Sequence, residues 1–379
     1  MKESGMTTMT LKKINRSKVY QYIYEKKATS KQQIVQDLNM GLSTVSQNLA
    51  ALEEEGLIQR DGFFESTGGR KANVLQIVPD VKISIGIGIL KSIFHIVAVD
   101  LYGDLLQADT VPTPFRNTED YYVQLAQQIQ LFIQRHGYGR EQVLGVAIAT
   151  QGIIAPDGDS VSYGAIMGNA DMKLSDFTAH IPYPCRMEHD SKAAAYLELW
   201  NHRELDSAVV LLLNRNLGGA VITNHRIHYG QSMHSGVVEH ICMDPSGPRC
   251  YCGQRGCLET YCSANALEQA AGLPIREFFP RLRAGQDLRL KELWDTYLTH
   301  LATAARTLNL IIDSPIILSG YLAPYLTDED LDTLLSRINA ATPFPLPRDQ
   351  LLVGTHGQYT PAIGAALHDV QAFIQTLSK

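Results

Sequence analysis

The sequence predicts an α/β protein with a small, mainly helical head at its N-terminal end. Apolar residues recur at helical spacing over residues 10–78, and from Ile83 onward apolar strands alternate with helices. The tripeptide Val78-Pro79-Asp80 interrupts the chain between these two patterns. A cysteine-rich loop after residue 249 is the third distinctive feature. We therefore predict a head over residues 1–79, followed by a larger α/β body.

Composition is typical of a globular protein of the cytoplasm. The 379 residues are 45% hydrophobic and 19% charged, which is enough to bury the cores of two or three domains. No apolar run approaches the roughly 20 residues that span a bilayer, and no secretory signal opens the sequence. Six cysteines, of which three cluster, fit a reducing compartment. We expect a cytoplasmic protein without membrane insertion.

The head shows three short helical patterns with turn signals between them. Ser30 is a good N-cap for the second helix, and Asn39 and Gly41 suit the tight corner before the third. The predicted helices cover about residues 15–26, 30–38 and 42–55. The head carries 11 basic and 8 acidic residues, whereas the body carries 22 and 31. A basic head on an acidic body is compatible with nucleic-acid binding by the head alone.

The third predicted helix carries a polar outward face. Val45, Leu49 and Leu52 recur at i, i+4 and i+7 and predict its buried stripe. Gln and Asn side chains can pair with adenine in the major groove, and Ser and Thr hydroxyls reach phosphates or bases. The predicted DNA-contacting side chains of this helix are Ser43, Thr44, Gln47 and Asn48. An amphipathic helix that only faces solvent would show the same polar face.

Residues 59–77 predict a two-stranded wing with Gly62 in its turn. Within the wing, a pair of glycines precedes Arg70 and Lys71. Such a flexible cationic arm can enter a minor groove or lie along phosphates, and a solvated loop is the alternative. Helix, helix-turn-helix and wing in this order predict a winged helix-turn-helix domain that binds double-stranded DNA.

The body alternates strands and helices. Residues 84–100 predict a strand, a turn and a second strand, and another strand follows near Leu105. A helix over about residues 120–136 and a buried strand over residues 143–150 continue the alternation. This pattern predicts the α/β class for the body.

A loop with four metal-type ligands lies in the second half of the chain. Cys250 and Cys252 are followed by a glycine-containing turn to Cys257, so one short loop can supply three thiolates. His240 would complete a tetrahedral zinc shell. Free structural cysteines are the alternative, and either Cys242 or Cys262 could replace one of the ligands.

The same loop resembles the signature of the ROK (repressor, ORF, kinase) family, which contains bacterial repressors and sugar kinases. The matching residues are His240, Cys250, Cys252, Gly253, Gly256, Cys257, Glu259 and Ser263. The head resembles the winged helix of ROK transcriptional regulators of the xylose- and N-acetylglucosamine-repressor type. The resemblance implies an actin-like, hexokinase-like (ribonuclease H-like) ATPase-fold body. Its first lobe would cover residues 80–189, and its second lobe, with the zinc loop and the effector and oligomerisation surfaces, residues 190–379.

The resemblance identifies two phosphate-binding loops, and both are altered in this chain. Family kinases carry Asp-x-Gly-Gly-Thr at the first hairpin, where this chain has Gly88-Ile89-Leu90-Lys91-Ser92. They carry Gly-Thr-Gly-x-Gly in the second loop, where it has Asn214-Arg215-Asn216-Leu217-Gly218. Bulky side chains on loops that must approach polyphosphate with their backbones disfavour ATP binding. We therefore expect a protein without kinase activity.

The sugar site that the resemblance implies is partly retained. Asp190 matches the family's catalytic base, and Glu259 matches a sugar contact. A family glutamate is replaced by Val237, and we expect Glu239 to face the other way along the loop. The alternative to a working site is a degenerate pocket that only supports the fold. The implied effector contacts are His189, Asp190, His240 and Glu259.

These observations predict a DNA-binding transcriptional regulator of carbohydrate genes, and specifically a repressor. A sugar or sugar phosphate would be its effector, and a homodimer or homotetramer would match a palindromic operator. Two other interpretations stay open. One is a sugar kinase with a DNA-binding head, and the other is a regulator that a partner protein controls instead of a metabolite.

Overall fold

The computed structural model describes residues 8–64 and 72–377, and its head consists of three helices and two antiparallel strands. The elements of the head are α1 Thr8–Lys26, α2 Lys31–Asp37, α3 Leu42–Glu54, β1 Ile58–Phe63 and β2 Asn73–Ile77. Helix α1 begins earlier than predicted. Residues 11–13 of this helix are exposed, so they add no apolar stripe to the sequence pattern.

The corner between α2 and α3 forms as the sequence predicts. Ser30 and Gln33 cap α2 reciprocally, with Gln33 N 3.2 Å from Ser30 Oγ and Ser30 N 2.9 Å from Gln33 Oε1. Asn39 takes the left-handed conformation, with a φ of 51°, and Gly41 is the N-cap of α3. The apolar side chains buried at this corner are Ile34, Val45, Leu49 and Leu52.

The two-stranded sheet of the head differs from the prediction at Gly62. The sequence predicts this glycine in the turn, but β1 continues through it to Phe63, which pairs with Asn73. Gly62, with a φ of 74°, lies instead at a break in register between Arg60 and Phe63. A bulge and a turn both favour glycine, so the sequence pattern does not distinguish them.

The first sheet of the body has five strands in the order β5-β4-β3-β6-β9. Strands β3, β4 and β5 form an antiparallel meander, whereas β6 and β9 extend the sheet in parallel. The strands of this region are β3 Ile83–Ile89, β4 Phe94–Val99, β5 Leu105–Val111, β6 Val143–Thr150, β7 Ile153–Ile154, β8 Val161–Tyr163 and β9 Cys185–His189. The helices are α4 Glu119–Arg135, α5 Leu174–Thr178 and α6 Asp190–Asn201. Strands β3 and β4 are buried along their whole length, as expected for a sheet covered on both faces.

The second sheet repeats this topology. Its order is β12-β11-β10-β13-β14, with an antiparallel meander of three strands and two further parallel strands. These strands are β10 Ala208–Leu212, β11 Gly218–Thr223, β12 Arg226–His228, β13 Ile316–Ser319 and β14 Leu351–Val353. The remaining helices are α7 Glu259–Cys262, α8 Ala264–Ala271, α9 Ile275–Ala284, α10 Leu288–Ile312, α11 Asp328–Asn339 and α12 Thr360–Thr376.

The two lobes exchange helices. Helix α6 follows the last strand of the first sheet and packs on β10 and β11 of the second sheet, whereas α12 follows the second sheet and packs on β3, β4 and β6 of the first. A Cβ atom at Gly364 of α12 would lie 1.7 Å from Ala193 O of α6, so the two helices cross in close contact. Helix α12, although it comes last among the described elements, thus packs on the sheet of the first lobe.

The head rests on the body through aromatic contacts. Tyr24 of α1 donates its hydroxyl to Leu101 O at 2.9 Å, and its ring stacks on Tyr102 at 5.1 Å. Near the C-terminal end of α6, Trp200 donates to Tyr102 O at 2.7 Å, and the guanidinium of Arg203 lies 5.9 Å from the Tyr24 ring. The head thus contacts both the β4–β5 turn and the end of α6. None of the described helices has the length and apolar character needed to cross a membrane.

Candidate functional site

Four side chains form a group that could hold one metal ion. His240 ends a short 3-10 turn over Val238–His240, and Cys250, Cys252 and Cys257 come from the loop that follows. Their ligand atoms all lie within 4.8 Å of one another. Cys252 Sγ and Cys257 Sγ are 3.7 Å apart, as are Cys250 Sγ and His240 Nδ1. A tetrahedral zinc ion with Zn–S bonds of about 2.3 Å requires S–S edges of about 3.8 Å, so the spacing fits zinc.

The backbone of this loop requires glycine at residue 256. Gly256 has a φ of 66°, and a Cβ atom there would lie 1.6 Å from the carbonyl oxygen of Asp244. Its amide donates to Pro248 O at 2.8 Å, and its carbonyl accepts from Met243 N at 2.7 Å. A side chain at this position would therefore push apart the segments that carry the metal ligands.

Two further cysteines lie close in sequence to the metal group, but neither belongs to it in the described part of the chain. Cys242 is exposed, and its Sγ lies 3.6 Å from Arg255 O. Cys262 is buried, and its Sγ lies 3.9 Å from Tyr297 O. The structure thus favours His240 with the three loop cysteines over the substitutions that the sequence left open.

A cavity of about 550 Å³, which we call the interlobe cavity, lies beside the metal group. Residues 152–166 of the first lobe and 234–251 of the second lobe supply most of its lining. Its apolar surface comes from Ile153, Ala165, Ile166, Val237 and the rings of Tyr163 and Tyr251. Its polar side chains are Ser162, His189, His234, Glu239 and His240. Because His240 belongs to both sites, a bound metal would fix one wall of the cavity.

Glu239 lines the interlobe cavity, although the sequence led us to expect it to face the other way. Residues 238–240 form a 3-10 turn, in which successive side chains are about 120° apart. The alternation expected of an extended loop therefore does not apply. The side chain is 8% exposed, and Oε2 has no hydrogen-bond partner in residues 8–64 and 72–377. Burial, reinforced by the negative charges of Asp190 and Glu259, raises the pKa of Glu239 to about 8.

His189 and Asp190 lie where β9 passes into α6. His189 is the N-cap of α6 and lines the cavity, and Asp190 Oδ1 accepts a hydrogen bond from Ser191 N at 2.7 Å. Burial lowers the pKa of His189 to about 3 and raises that of Asp190 to about 6. A buried carboxyl with a raised pKa has the character of a general base. The structure thus brings His189, Asp190, Glu239 and His240 to one region between the lobes.

Glu259 is held by the second of the two altered loops. Its Oε1 accepts from Asn216 Nδ2 and its Oε2 from Leu217 N, both at 2.7 Å. Both carboxyl oxygens are therefore used to brace residues 214–218. In the same loop, Arg215 pairs with Glu268 at 3.4 Å and lies over the ring of Tyr321. The predicted effector role of Glu259 stays a prediction.

The exposed face of α3 contains part of the predicted DNA-contact set. Ser43 and Gln47 are exposed, whereas Thr44 and Asn48 are half-buried. The Asn48 amide donates to Thr44 O at 2.8 Å and is thus engaged within the helix. Ala50, which the sequence pattern does not single out, extends the exposed face by one turn. The predicted contacts that lie outside the described residues are Arg70 and Lys71.

Named relatives of this chain are regulators. The DNA-binding transcriptional dual regulator NagC of Escherichia coli (strain K12) is 26% identical over 264 residues, which cover 68% of this chain and 64% of that protein. The xylose repressor of Bacillus subtilis (strain 168) is 26% identical over 268 residues, covering 68% of this chain and 67% of that protein. The chain thus spans about two-thirds of the length of these curated relatives.

Solved structures with the same fold include a regulator and a kinase. A ROK family transcriptional regulator, described as a homolog of the E. coli MLC protein, matches with a TM-score of 0.73 and 20% identity over 97% of this chain and 98% of that one. A ROK family glucokinase from Streptomyces griseus matches with a TM-score of 0.67 and 20% identity over 76% of this chain and 99% of that one. Both likenesses support the hexokinase-like, actin-type body.

The family model described as the ROK family matches residues 82–369, which is most of the chain. This region includes both five-stranded sheets, the metal group and the interlobe cavity. The chain belongs to the ROK family.

Proposed function

We propose that the protein is a DNA-binding transcriptional regulator, a repressor of carbohydrate genes, whose α/β body senses a sugar-like effector. One combination of features carries this proposal. The chain joins a helical head that has an exposed polar helix face to a body that has a cavity of about 550 Å³ and altered phosphate loops. The regulators among its ROK relatives support the same conclusion. We place the protein in the cytoplasm, with its operator DNA.

In this proposal the head is a winged helix-turn-helix. Helix α3 lies in the major groove and presents Ser43, Thr44, Gln47 and Asn48 to the bases. Arg70 and Lys71 lie along phosphates or enter the adjacent minor groove. The tight corner at Asn39 and the capped start of α2 support this assignment, because they fix α3 at an angle to α2. A homodimer or homotetramer would place two heads on the half-sites of a palindromic operator.

The interlobe cavity is the proposed effector site, with contacts from His189, Asp190 and His240, and with Glu259 bracing the adjacent loop. Zinc, held by His240, Cys250, Cys252 and Cys257, would supply structural cross-linking only. A zinc ion there would hold the loop that carries one cavity wall. The protein's own side chains would therefore select and orient the effector.

Signal transmission is proposed to run along α6. This helix begins at Asp190 beside the cavity and ends near Trp200 and Arg203, which contact the β4–β5 turn and α1 of the head. Its 12 residues span about 18 Å. An effector that shifts the start of α6 relative to the lobes would thereby shift the support of the head.

The proposal is tested by selecting bound sequences from a pool of random duplexes with the full-length protein. We expect enrichment of a palindromic site whose affinity exceeds that of random duplexes by about 10³-fold or more. Recovery of no preferred sequence would contradict a regulator that reads DNA.

The kinase alternative is tested separately by ATP turnover over a panel of hexoses. The absence of a carboxylate in residues 88–92 and the pairing of Arg215 with Glu268 favour an inactive site. We expect no sugar-dependent ATP hydrolysis. Turnover on the order of 1 per second or faster, which is ordinary for enzymes, would replace the regulator-only interpretation with a bifunctional one.

The other alternative is a regulator that a partner protein controls. In that case no small-molecule effector would bind in the interlobe cavity.

A further inference from the structure

The interlobe cavity is lined by two side chains, each with a buried polar atom that makes no hydrogen bond within the described residues. Glu239 Oε2 has no hydrogen-bond partner within the described chain, and His189 Nδ1 lies 3.7 Å from Asp190 Oδ1, which is too long for a hydrogen bond. Both side chains line the cavity. Glu239 is more than nine-tenths buried. Buried polar atoms without partners are rare and unfavourable. Two such atoms at one cavity indicate that a ligand completes their hydrogen bonds.

The lining of the cavity offers no permanent positive charge to an anionic ligand. Among the described residues that line it, none is a lysine or an arginine. Lys192 on α6 is a buried cation nearby in the chain, but its Nζ donates to Ser235 O, and Glu239 and Glu188 already act on its charge. A phosphate in the cavity would therefore meet the Glu239 carboxyl without a cation of its own, which is strongly unfavourable in a buried site.

The three imidazoles of the cavity add little positive charge to it. His240 belongs to the metal group, and burial keeps His189 neutral by lowering its pKa to about 3. His234 is exposed to solvent, so any charge that it carries is screened by water. A neutral imidazole is both a donor and an acceptor, which matches a hydroxyl better than a phosphate oxygen.

The remaining walls of the cavity are apolar and aromatic. Tyr163 and Tyr251 are partly exposed, and Ile166 and Val237 add aliphatic surface. The volume of about 550 Å³ falls within the range of roughly 300–1,000 Å³ that is usual for small-molecule sites. Apolar walls with a few convergent polar groups suit a compound that has hydroxyl groups on a carbon skeleton.

We infer that Glu239 and His189 bind two hydroxyl groups of an uncharged sugar or polyol, and that the interlobe cavity discriminates against the phosphate esters of the same compound. This inference rests on the proposed function, because it specifies the effector class of the same sensor. The two side chains come from opposite lobes, Glu239 from the turn before the metal group and His189 from the end of β9. A ligand that joins them would connect the lobes.

The test is isothermal titration calorimetry with the full-length, zinc-loaded protein. The neutral probes are glucose, xylose, N-acetylglucosamine and glucitol, and the charged probes are glucose 6-phosphate and N-acetylglucosamine 6-phosphate. At least one neutral probe should bind, and both charged probes should bind at least about tenfold more weakly than the best neutral one. Tighter binding of a phosphate ester, or no binding of any neutral probe, would overturn the inference.

Variants assign the effect to Glu239. Glu239→Ala should weaken binding of the best neutral probe by about tenfold or more, since it removes a buried hydrogen-bonding group. Glu239→Gln keeps the shape and an acceptor oxygen, so it should lose less affinity. The matched control is Glu204→Gln, which makes the same change at an exposed glutamate. Wild-type affinity in Glu239→Ala would refute the role of this residue, and if that variant does not fold, the comparison of neutral and charged probes on the wild type still decides.

Operator binding measured in parallel separates the two levels of the proposal. If the wild type binds its selected operator but binds phosphate esters best, only the inference fails. If the wild type recognises no specific operator, the proposed function fails, whatever the calorimetry shows.

Discussion

Buried titratable side chains concentrate at the junction between β9 and α6. Tyr229 donates its hydroxyl to Glu188 Oε2 at 3.3 Å, and His368 Nε2 lies 3.8 Å from the same oxygen. Burial raises the pKa of Glu188 to about 7, although hydrogen bonds and the positive charges of Lys192 and Arg186 oppose the shift. The folded protein thus retains a proton at Glu188 that the unfolded chain releases near pH 4.3.

Stability is therefore expected to fall as the pH rises through the pKa of Glu188. Between about pH 4.3 and pH 7 the folded state binds more protons than the unfolded chain, so each increase in pH favours unfolding. Glu188→Gln removes this contribution, and its free energy of unfolding, measured by urea titration, should decline less steeply over that range than in the wild type. Burial lowers the pKa of His368 to about 4, which gives a contribution of opposite sign, so the difference between wild type and variant, and not the absolute slope, tests Glu188. Parallel curves would contradict the assignment.

Gln47 and Asn48 differ in what they can offer to a base. Gln47 is exposed, whereas the Asn48 amide already donates to Thr44 O. Gln47→Ala should cost roughly 1–3 kcal/mol of operator binding and relax preference at one half-site position, and Asn48→Ala should cost less. The control is Gln21→Ala, the same change on an exposed residue of α1. Operator affinity is measured by fluorescence anisotropy on the selected operator. A larger loss of affinity in Asn48→Ala than in Gln47→Ala would contradict the greater role that we assign to Gln47.

Single residues also show where sequence patterns stop being informative. The group of His240, Cys250, Cys252 and Cys257 was predictable because zinc chemistry restricts residue type and spacing together. The direction of Glu239 was not, because it depends on whether residues 238–240 form a 3-10 turn or an extended strand. The intrahelical hydrogen bond of Asn48 was also not predictable, because the sequence pattern indicates which face of a helix a residue occupies but not its side-chain rotamer.

Helix α6 is the element that joins the interlobe cavity to the head. His189 and Asp190 stand at its start, and Trp200 and Arg203 at or just beyond its end contact Tyr102 and Tyr24. If coupling runs along this helix, its two ends can be changed independently. A change at the head end should leave effector binding intact and reduce the response of the proposed DNA-binding head.

Arg203→Ala is expected to uncouple the two sites. Effector affinity, measured by calorimetry, should match the wild type, whereas the effector-induced change in operator affinity should shrink severalfold, within the usual coupling range of about 1–3 kcal/mol. Arg135→Ala, which breaks an exposed ion pair with Asp109, is the matched arginine control. A full response in Arg203→Ala would show that the signal takes another route.

The metal loop is the second element that lends itself to a direct test. Purified protein should contain about one zinc ion per chain, and Cys252→Ser should lose it and unfold at a lower temperature, because structural zinc couples to folding. Cys242→Ser is the control, since its thiol lies outside the metal group. The zinc content of the wild type and of both variants is measured by mass spectrometry. Stoichiometric zinc in a variant that lacks Cys250, Cys252 and Cys257 would refute the site.

Elements with strong local signals were predicted well. The N-cap at Ser30, the left-handed Asn39 and the strand Val143–Thr150 agree with the sequence-based expectation. Gly62 was placed in the wrong part of the hairpin, because glycine favours a bulge as much as a turn. Local sequence signals thus predict whether a segment is a helix, strand or turn better than they predict which elements it packs against.

At the scale of the whole molecule, the exchanged helices α6 and α12 pack against each other between the two sheets. Their contact depends on small residues, since a Cβ atom at Gly364 would meet Ala193 O. The first turns of α12 carry small side chains at Ala362, Gly364, Ala365 and Ala366, but this pattern does not state which sheet covers the helix. That information lies in long-range packing, which a local sequence pattern does not contain.

This arrangement makes the cavity and the head parts of one mechanical unit. The cavity lies between lobes that α6 and α12 connect, and the head rests on the first lobe and on the end of α6. A ligand that changes the relation between the lobes would therefore act on the support of the head. We propose that a neutral sugar-like effector controls operator affinity through this unit.

The most direct test is the affinity of the full-length protein for its selected operator with and without the best-binding neutral sugar. We predict that saturating sugar weakens operator binding by about 5- to 150-fold, the range of ordinary allosteric coupling, and that the 6-phosphate esters at the same concentration do not. Operator affinity that is unchanged by every sugar that binds to the protein would contradict control of the head by the interlobe cavity.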